Sequence, residues 1–326
     1  MRPGRGSRPR TRRRPAHVDA ADAFVAAVDR GRYRCVLGEL EVTAMTAREL
    51  GRRRVVVGDF VSLAGDISGA PGTLARIVRV ARRTSVLRRS ADDTDPVERV
   101  IVANADQLVI VSSLADPPPR PRLIDRFLVA AYDAGIDPLL CLTKADLGKP
   151  DDLLAVYAPL GTDYVVTGRP LTEPMLDTLR AKLDSRLSVL VGHSGVGKST
   201  LVNALIPDAD RAVGRVSAVT GRGRHTSSSA VALRLAGGGW LIDTPGLRSF
   251  GLGHVAADDV VAAFTDLADG TLECPPGCSH LEPGCALDSW VRDHGDGPLA
   301  ARLDSLRRLL RSLEGLDPAD TPAPGR

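Results

Sequence analysis

Short apolar segments recur over residues 32–90, with alternating or Gly-interrupted spacing and turn residues between them. This pattern predicts several short β-strands. We interpret the region as a small all-β barrel of the OB type, and the same pattern would also fit an SH3-like barrel. The preceding segment ADAFVAAVDRG (21–31) predicts a short helix that ends at Gly31.

A second pattern begins at residue 97, where apolar runs alternate with amphipathic segments. QLVIVSSL (107–114) and PLLCLTK (138–144) predict buried strands, and the segment at 122–135 between them predicts a helix. Strands that alternate with helices of this length imply an α/β fold with a mostly parallel sheet, covered by helices on both faces. From about residue 256 the pattern is helical, interrupted by a Cys-rich segment.

The apolar runs are too short to cross a membrane, because none approaches the roughly 18 residues that a transmembrane helix needs. The N-terminal segment MRPGRGSRPRTRRRP also lacks the apolar stretch of a signal peptide. We therefore expect a cytoplasmic protein with no membrane partner.

Positive charge is concentrated at the N-terminal end of the 326-residue chain. The net charge is +3, yet residues 1–90 hold 20 Arg, no Lys and 8 acidic residues, so the remainder is acidic. A basic region that extends beyond a short tail indicates a polyanionic partner, with RNA the best candidate. The alternative is an Arg-rich composition combined with a solvated tail.

The most specific motif is a phosphate-binding loop that directly follows an apolar strand and precedes a helix. Glycines in such a loop turn successive backbone N–H groups toward a β-phosphate, and the helix N-terminus adds positive potential. Lys198 is expected to reach the β- and γ-phosphate oxygens and Ser199 to ligate Mg²⁺. The loop comprises Gly192, His193, Ser194, Gly195, Val196, Gly197, Lys198, Ser199 and Thr200.

A second phosphate-site motif, DTPG, ends the strand GGWLID. Asp243 is expected to hold Mg²⁺, and the amide of Gly246 to contact the γ-phosphate. The segment GRGRHTSSS (221–229) lies between the two motifs and predicts a switch that closes on Mg²⁺ through a Thr. Thr226 is our candidate, and spacing alone leaves Thr220, Ser227 and Ser228 open.

A base-reading motif, TKADL, follows the strand PLLCL. Asp146 can accept hydrogen bonds from guanine N1–H and N2–H₂, and the stem of Lys144 can cover the base. Thr143 stands where the NKxD element of GTPases has Asn. Thr167 and Gly168 end another strand, VVTG, and can place backbone N–H groups near guanine O6.

The order of these motifs is base reader, phosphate loop, switch and DxxG. This order is a circular permutation of the usual GTPase order. A permuted chain can still build the same sheet, because native termini often lie close together.

Three of the five Cys residues and one His crowd together near the C-terminus. Their spacing, Cys-x₃-Cys-x-His-x₄-Cys, predicts one tetrahedral structural Zn²⁺ site, with free buried cysteines as the alternative. The predicted ligands are Cys274, Cys278, His280 and Cys285.

Taken together, these residues resemble the ribosome small subunit-dependent GTPase A (RsgA) family over roughly residues 30–315. NADQLVIV, TKADL, GHSGVGKSTLVNAL, GRGRHTSSS, DTPGLRSF and CSHLEPGCALD carry the resemblance. It implies that Thr143, Lys144 and Asp146 read guanine, that Thr226 is the switch Thr, and that the Cys–His cluster binds zinc. It also implies a protein that binds the small ribosomal subunit and its rRNA late in assembly, hydrolyses GTP there under stimulation by the subunit, and then leaves. We expect a monomer.

Two departures from known patterns affect the site. Thr143 lacks the amide with which Asn ties the base loop to the phosphate loop. Leu247 follows the DxxG glycine, where Ras-type enzymes place a water-orienting Gln. We therefore assign the catalytic role to His225, beside the switch Thr, together with Lys198; the alternative is that His225 only packs the switch or contacts the ribosome.

The domain prediction follows from the patterns and the resemblance together. It consists of a disordered basic tail with a short helix (1–30), an OB-fold RNA-binding domain (31–92), a circularly permuted GTPase domain (93–254), a helical zinc-binding domain (255–315) and a tail (316–326). The alternatives in function are a GTPase of the large subunit, an RNA-binding scaffold whose nucleotide only stabilises the fold, and an ATPase.

Overall fold

A computed structural model describes residues 19–51, 53–90, 99–207, 209, 230–244, 252–281, 283–294 and 297–316. The strands are β1 (Ala21–Asp29), β2 (Arg32–Leu37), β3 (Leu40–Thr46), β4 (Phe60–Gly65), β5 (Ala75–Val80), β6 (Val86–Arg89), β7 (Arg99–Ala103), β8 (Gln107–Ser113), β9 (Asp137–Thr143), β10 (Asp163–Val166), β11 (Leu187–Val191), β12 (Val231–Arg234) and β13 (Trp240–Asp243). The helices are α1 (Pro121–Asp133), α2 (Asp151–Tyr157), α3 (Glu173–Leu183), α4 (Lys198–Leu205), α5 (Ala257–Ala262), α6 (Ala268–Thr271), α7 (Ala286–His294) and α8 (Gly297–Glu314).

The first five strands form a closed barrel. Its order is β1-β2-β3-β5-β4, and β4 pairs back onto β1 to close it. β3 and β5 pair in parallel, whereas the other pairs are antiparallel. Side chains alternate along β3, where Val42 and Ala44 fill the interior and their neighbours face outward. This architecture confirms the prediction of an OB-type barrel.

The helix predicted at residues 21–31 is wrong, because Ala21–Asp29 form β1. This strand pairs with both β2 and β4, so the barrel includes residues that the sequence pattern placed before it. β1 is buried on both faces: Val25 lies in the barrel interior, and Phe24 packs outside it. A strand covered on both sides loses the alternation that normally identifies it, and this Ala-rich segment then has a helical pattern.

The α/β domain contains the mostly parallel sheet predicted from the sequence. Its strands lie in the order β10-β9-β8-β11-β13-β12, parallel up to β13, with β12 antiparallel at the end. Neighbouring residues of β8 face opposite layers: Ile110 packs in the cluster that contains α1, and Val109 in the one that contains α3 and α4. The carboxyl ends of the parallel strands therefore meet at one edge, between two helical layers.

The barrel and the α/β domain share a hydrogen-bonded sheet edge. Ala27 of β1 pairs with Val231 of β12, so one sheet runs through both domains. Phe24 stacks on Trp240 with ring centroids 4.5 Å apart. At Gly58, which has φ +91°, a Cβ atom would lie 2.0 Å from the carbonyl oxygen of Ala103, so no larger residue fits this contact.

The C-terminal helices are anchored to the α/β domain through α8, which lies against α1. Arg308 donates from Nε to the buried Asp125 carboxylate at 3.2 Å and from Nη1 to the carbonyl of Val156 at 3.2 Å. Its guanidinium also lies 5.0 Å from the centre of the Tyr157 ring. These contacts hold the helical domain beside the sheet, as expected for an α/β protein with a separate helical domain.

Candidate nucleotide and metal sites

The phosphate loop lies between β11 and α4, at the carboxyl edge of the sheet. Gly192 has φ +146°, and a Cβ there would lie 2.3 Å from the carbonyl oxygen of Val111, so the loop requires glycine at this position. Lys198 donates from Nζ to the carbonyl of Gly192 at 2.6 Å and to that of His193 at 2.8 Å. The ammonium group is therefore folded over the loop that is predicted to cradle the phosphates.

Asp243 lies next to the phosphate loop because β13 pairs in parallel with β11, with Leu190 opposite Asp243. Burial raises the pKa of the Asp243 carboxyl, and the Lys198 ammonium opposes this rise. Burial likewise lowers the pKa of Lys198, and Asp243 opposes that change. Each group stabilises the charged form of the other, which suits a site built for phosphate and a divalent cation.

The loop predicted to read guanine is joined directly to the phosphate loop. Thr143 ends β9, and its hydroxyl donates a 2.6 Å hydrogen bond to the carbonyl of Val196. The sequence suggested that Thr at this position would lose the connection that Asn makes. The structure shows a connection of another kind, because the shorter hydroxyl side chain reaches the neighbouring loop; the effect of the missing amide on guanine affinity stays a prediction.

Lys144 has a left-handed backbone conformation, with φ +60°, and is almost fully buried. Its Nζ donates to the carbonyl oxygen of Asp116, and the hydroxyl of Ser113 donates to that of Pro117. The loop after β8 thus fixes the lysine stem predicted to cover the base. Sequence reasoning missed this loop, because a backbone carbonyl has no side-chain signature; its position after a parallel strand was the available signal.

Asp146 and the end of β10 converge at the same edge. The Asp146 Oδ1 atom accepts a hydrogen bond from the amide of Arg169 at 2.8 Å, and the amide of Ala145 donates to the carbonyl of Thr167 at 3.0 Å. A Cβ added to Gly168 would lie 3.6 Å from Asp146 Oδ1. The two segments predicted to read guanine therefore lie in direct contact.

The remaining phosphate-loop residues occupy the predicted loop and the first turn of α4. Ser194, Gly195, Ser199 and Thr200 are exposed, and Val196 is buried. The Nδ1 atom of His193 lies 2.8 Å from the carbonyl of Ser194. Three predicted site residues lie outside the described residues: His225, Thr226 and Gly246.

The predicted metal ligands form one compact cluster in the helical domain. Their donor atoms all lie within 4.8 Å of one another. The Cys274 and Cys285 sulfurs are 3.6 Å apart, the Cys278 and Cys285 sulfurs 3.8 Å, and Nδ1 of His280 lies 3.6 Å from the Cys274 sulfur and 3.5 Å from that of Cys285.

These spacings fit tetrahedral zinc. Zn–S bonds of about 2.3 Å and Zn–N bonds of about 2.0–2.1 Å separate two sulfurs by roughly 3.8 Å, and a sulfur from a nitrogen by roughly 3.6 Å. The surroundings also orient the ligands: the His280 amide donates to the Cys278 sulfur at 3.4 Å, and Arg307 donates to the His280 carbonyl at 3.0 Å. The four side chains can therefore hold one metal ion with a closed ligand set.

Among the described residues, no helix is both long and apolar enough to span a membrane.

Known proteins match this chain in sequence. The family model for the RsgA GTPase matches residues 80–253. The chain is 42% identical over 258 residues to the small ribosomal subunit biogenesis GTPase RsgA of Pseudomonas aeruginosa, covering 77% of this chain and 74% of that protein. It is 46% identical over 222 residues to the protein of that name from Ectopseudomonas mendocina, covering 65% of this chain and 63% of the relative.

Two solved structures share the fold. YjeQ from Thermotoga maritima matches with a TM-score of 0.66 at 24% identity, covering 91% of this chain and 99% of that one. YloQ, described as a circularly permuted GTPase, matches with a TM-score of 0.64 at 22% identity, covering 92% and 96%. The permuted order, the barrel and the family match agree, and the chain belongs to the RsgA GTPase family.

Proposed function

We propose that this protein hydrolyses GTP on the small ribosomal subunit, assists the late maturation of that subunit, and leaves it after hydrolysis. The relatives that share 42% of their aligned residues with it are named for small-subunit biogenesis. The observation that supports the proposal best is the Thr143–Val196 hydrogen bond, because it holds the base-reading and phosphate-binding loops in one pocket.

In this proposal each motif has a separate role at the nucleotide. Asp146 pairs with the guanine edge, Lys144 covers the base, and the amides of Thr167 and Gly168 lie near O6. Residues 192–200 cradle the phosphates, with Lys198 on the β- and γ-oxygens. Ser199, Thr226 and Asp243 hold Mg²⁺, and the amide of Gly246 contacts the γ-phosphate.

We assign the positioning of the attacking water to His225, since Leu247 cannot orient water. A His225→Ala protein should bind GTP normally but lose most of its stimulated turnover. Full stimulated turnover in that protein would reject the assignment.

In this proposal the barrel and the helical domain bind the subunit. The Cys–His cluster binds one structural Zn²⁺, which shapes the helical domain, and the Arg-rich barrel contacts rRNA phosphates. The protein acts as a monomer in the cytoplasm, where bacterial subunits mature. Binding should weaken steeply with salt if these arginines supply the contacts.

Multiple-turnover GTP hydrolysis, measured with and without purified small subunits, tests the proposal. We expect slow turnover alone and strong stimulation by small subunits. Greater stimulation by large subunits would favour a large-subunit GTPase, and no turnover under any condition would favour a scaffold. Competition by GDP and not by ADP would exclude an ATPase.

A further inference from the structure

Phe60 is a half-exposed aromatic residue on the outer face of the barrel, at the start of β4. Phe24 of β1 lies opposite it, with ring centroids 5.6 Å apart and the planes tilted by 58°. Phe24 is itself buried and stacks on Trp240. The Phe60 ring therefore packs on Phe24, which is held in turn by Trp240, and it is 50% exposed to solvent.

Exposed arginines belong to the chain segments that lie next to Phe60. The amide of Ala81 donates to the carbonyl of Phe60 at 2.9 Å, which places the residues after β5 beside the ring. Arg53 donates to the carbonyl of Ala81 at 3.5 Å, and Arg82 follows Ala81; both arginines are exposed. Arg76, also exposed, pairs with Ala64 on the same outer face, about 13 Å further along β4.

Two acidic side chains lie near the ring, and both have polar partners. Asp59 is fully buried and accepts hydrogen bonds from Arg83 at 2.7 and 2.8 Å. Asp22 accepts a 2.9 Å hydrogen bond from the hydroxyl of Ser62. Asp22 is exposed and stays negative, whereas Arg53, Arg76 and Arg82 are exposed and positive, so the surface around Phe60 combines an apolar ring with a net positive charge.

Part of the barrel face that OB folds ordinarily use for nucleic acids lies against the α/β domain in this protein. That face lies on the second and third strands. Here Arg34, Glu39 and Glu41 line a cavity of about 250 Å³ together with Arg234 and Trp240 of the α/β domain. Glu39 also forms a 2.6 Å ion pair with Arg234. The exposed Glu39 and Glu41 make this face less favourable for a polyanion than the surface near Phe60, where Arg53, Arg76 and Arg82 are exposed.

We infer that Phe60 is a stacking platform for one unpaired RNA base, with Arg53 and Arg82 contacting the flanking phosphates and Arg76 a phosphate further along. Every base has a π-face that can stack on an aromatic ring, and basic side chains follow the backbone. Bases inside a duplex already stack on each other, so the site selects single-stranded RNA. The inference rests on the proposed function and adds which form of RNA the barrel recognises.

Leu40 offers a matched contrast within the same barrel. It is also exposed, at 41%, but it lies between Glu39 and Glu41. Single exposed apolar residues are common on protein surfaces, so exposure alone does not distinguish Phe60 from Leu40. The aromatic support and the arginines distinguish it.

The test measures binding of the full-length chain to a fluorescent single-stranded oligoadenylate by anisotropy. Loss of one stacked base should weaken binding by Phe60→Ala between about 5- and 150-fold, whereas Phe60→Trp should bind like the wild type. Leu40→Ala should also bind like the wild type. Each of Arg53→Gln and Arg82→Gln should reduce the salt slope of binding by about 0.7, and Phe60→Ala should leave that slope unchanged.

Wild-type affinity in Phe60→Ala, or equal weakening on single-stranded and duplex RNA, would overturn the inference. If Phe60→Ala lowers the midpoint of thermal unfolding, Phe60→Leu decides the question, because it keeps apolar packing on Phe24 but has no ring face. Measuring GTP hydrolysis by the wild type with and without small subunits separates the proposed function from the Phe60 stacking site. Stimulation without a Phe60 effect rejects only the stacking site, and a Phe60 effect without stimulation rejects only the proposed function.

Discussion

The hydroxyl of Thr143 and the carbonyl of Val196 form a 2.6 Å hydrogen bond between residues 53 positions apart. Both groups are buried, and the bond joins the end of β9 to the middle of the phosphate loop. It shows how a side chain smaller than Asn can hold together the two loops that are predicted to bind the nucleotide. The affinity for guanine nucleotides should depend on this bond.

Thr143→Val should weaken GDP binding, because the two loops lose the hydrogen bond that holds them together. The buried Val196 carbonyl is left without this donor at a cost of about 1–3 kcal/mol, so the loss of affinity should not exceed about 150-fold. Titration with a fluorescent GDP analogue measures the effect. Thr143→Ser keeps the hydroxyl and should retain most of the affinity. Equal binding by the Val and Ser variants would show that the hydrogen bond contributes nothing to the pocket.

Asp146→Asn should sharply weaken GTP binding, because the amide places a donor against the donors of the guanine edge. Xanthine carries a carbonyl where guanine carries its amino group, so the same variant should bind XTP better than the wild type does. Competition between the two nucleotides measures the change. Asp152→Asn, an exposed carboxylate at the start of α2, is the control and should bind GTP normally; unchanged GTP affinity in Asp146→Asn would refute the assignment of this loop.

One zinc ion per chain should be found by elemental analysis of the purified protein. Cys285→Ala should lose that ion and lower the thermal stability of the helical domain, since structural zinc stabilises small domains directly. Cys141→Ala is the matched control, because Cys141 is buried in β9 away from the cluster and its loss should leave the zinc content unchanged. Full zinc content in Cys285→Ala would exclude the cluster as the zinc site.

Magnesium-dependent GTP affinity should fall as the pH decreases. The fall should begin at a higher pH than that at which an ordinary Asp carboxyl is protonated. Burial raises the pKa of Asp243, so this carboxyl takes up a proton at a higher pH than an exposed Asp does. By the same sign, its protonation favours the folded apo protein at low pH, and this contribution is lost as the pH rises through the raised pKa.

Magnesium titration of a fluorescent GTP analogue at several pH values measures this effect. Asp243→Asn should bind magnesium weakly at every pH and show a flatter profile. A wild-type profile as flat as that of the variant would remove Asp243 from the metal site.

The arrangement of the candidate site was more predictable than the local structure of the barrel. Gly192 and Lys198 belong to a motif whose spacing is itself set by the phosphate geometry, so the sequence contains most of the information. The convergence of Asp146 with Gly168 follows from the parallel order of β9 and β10, which the alternation of strands and helices predicted.

Two features depended on tertiary contacts and could not be predicted. β1 has a helical pattern because the α/β domain covers its outer face at Phe24, and no local signal contains that information. The carbonyl of Asp116 reaches Lys144 through the path of a loop and not through the identity of a side chain. In both cases the missing information lay in a partner distant in the chain.

The pairing of Ala27 with Val231 also determines how far the molecule can be divided. β12 is the last strand of the α/β sheet, and without β1 its backbone N–H and C=O groups would face water as an open edge. Exposed edges of this kind template pairing with other chains. Removal of the barrel should therefore leave a GTPase fragment that self-associates. Besides being a candidate RNA contact, the barrel would then protect the α/β domain from aggregation by covering this edge.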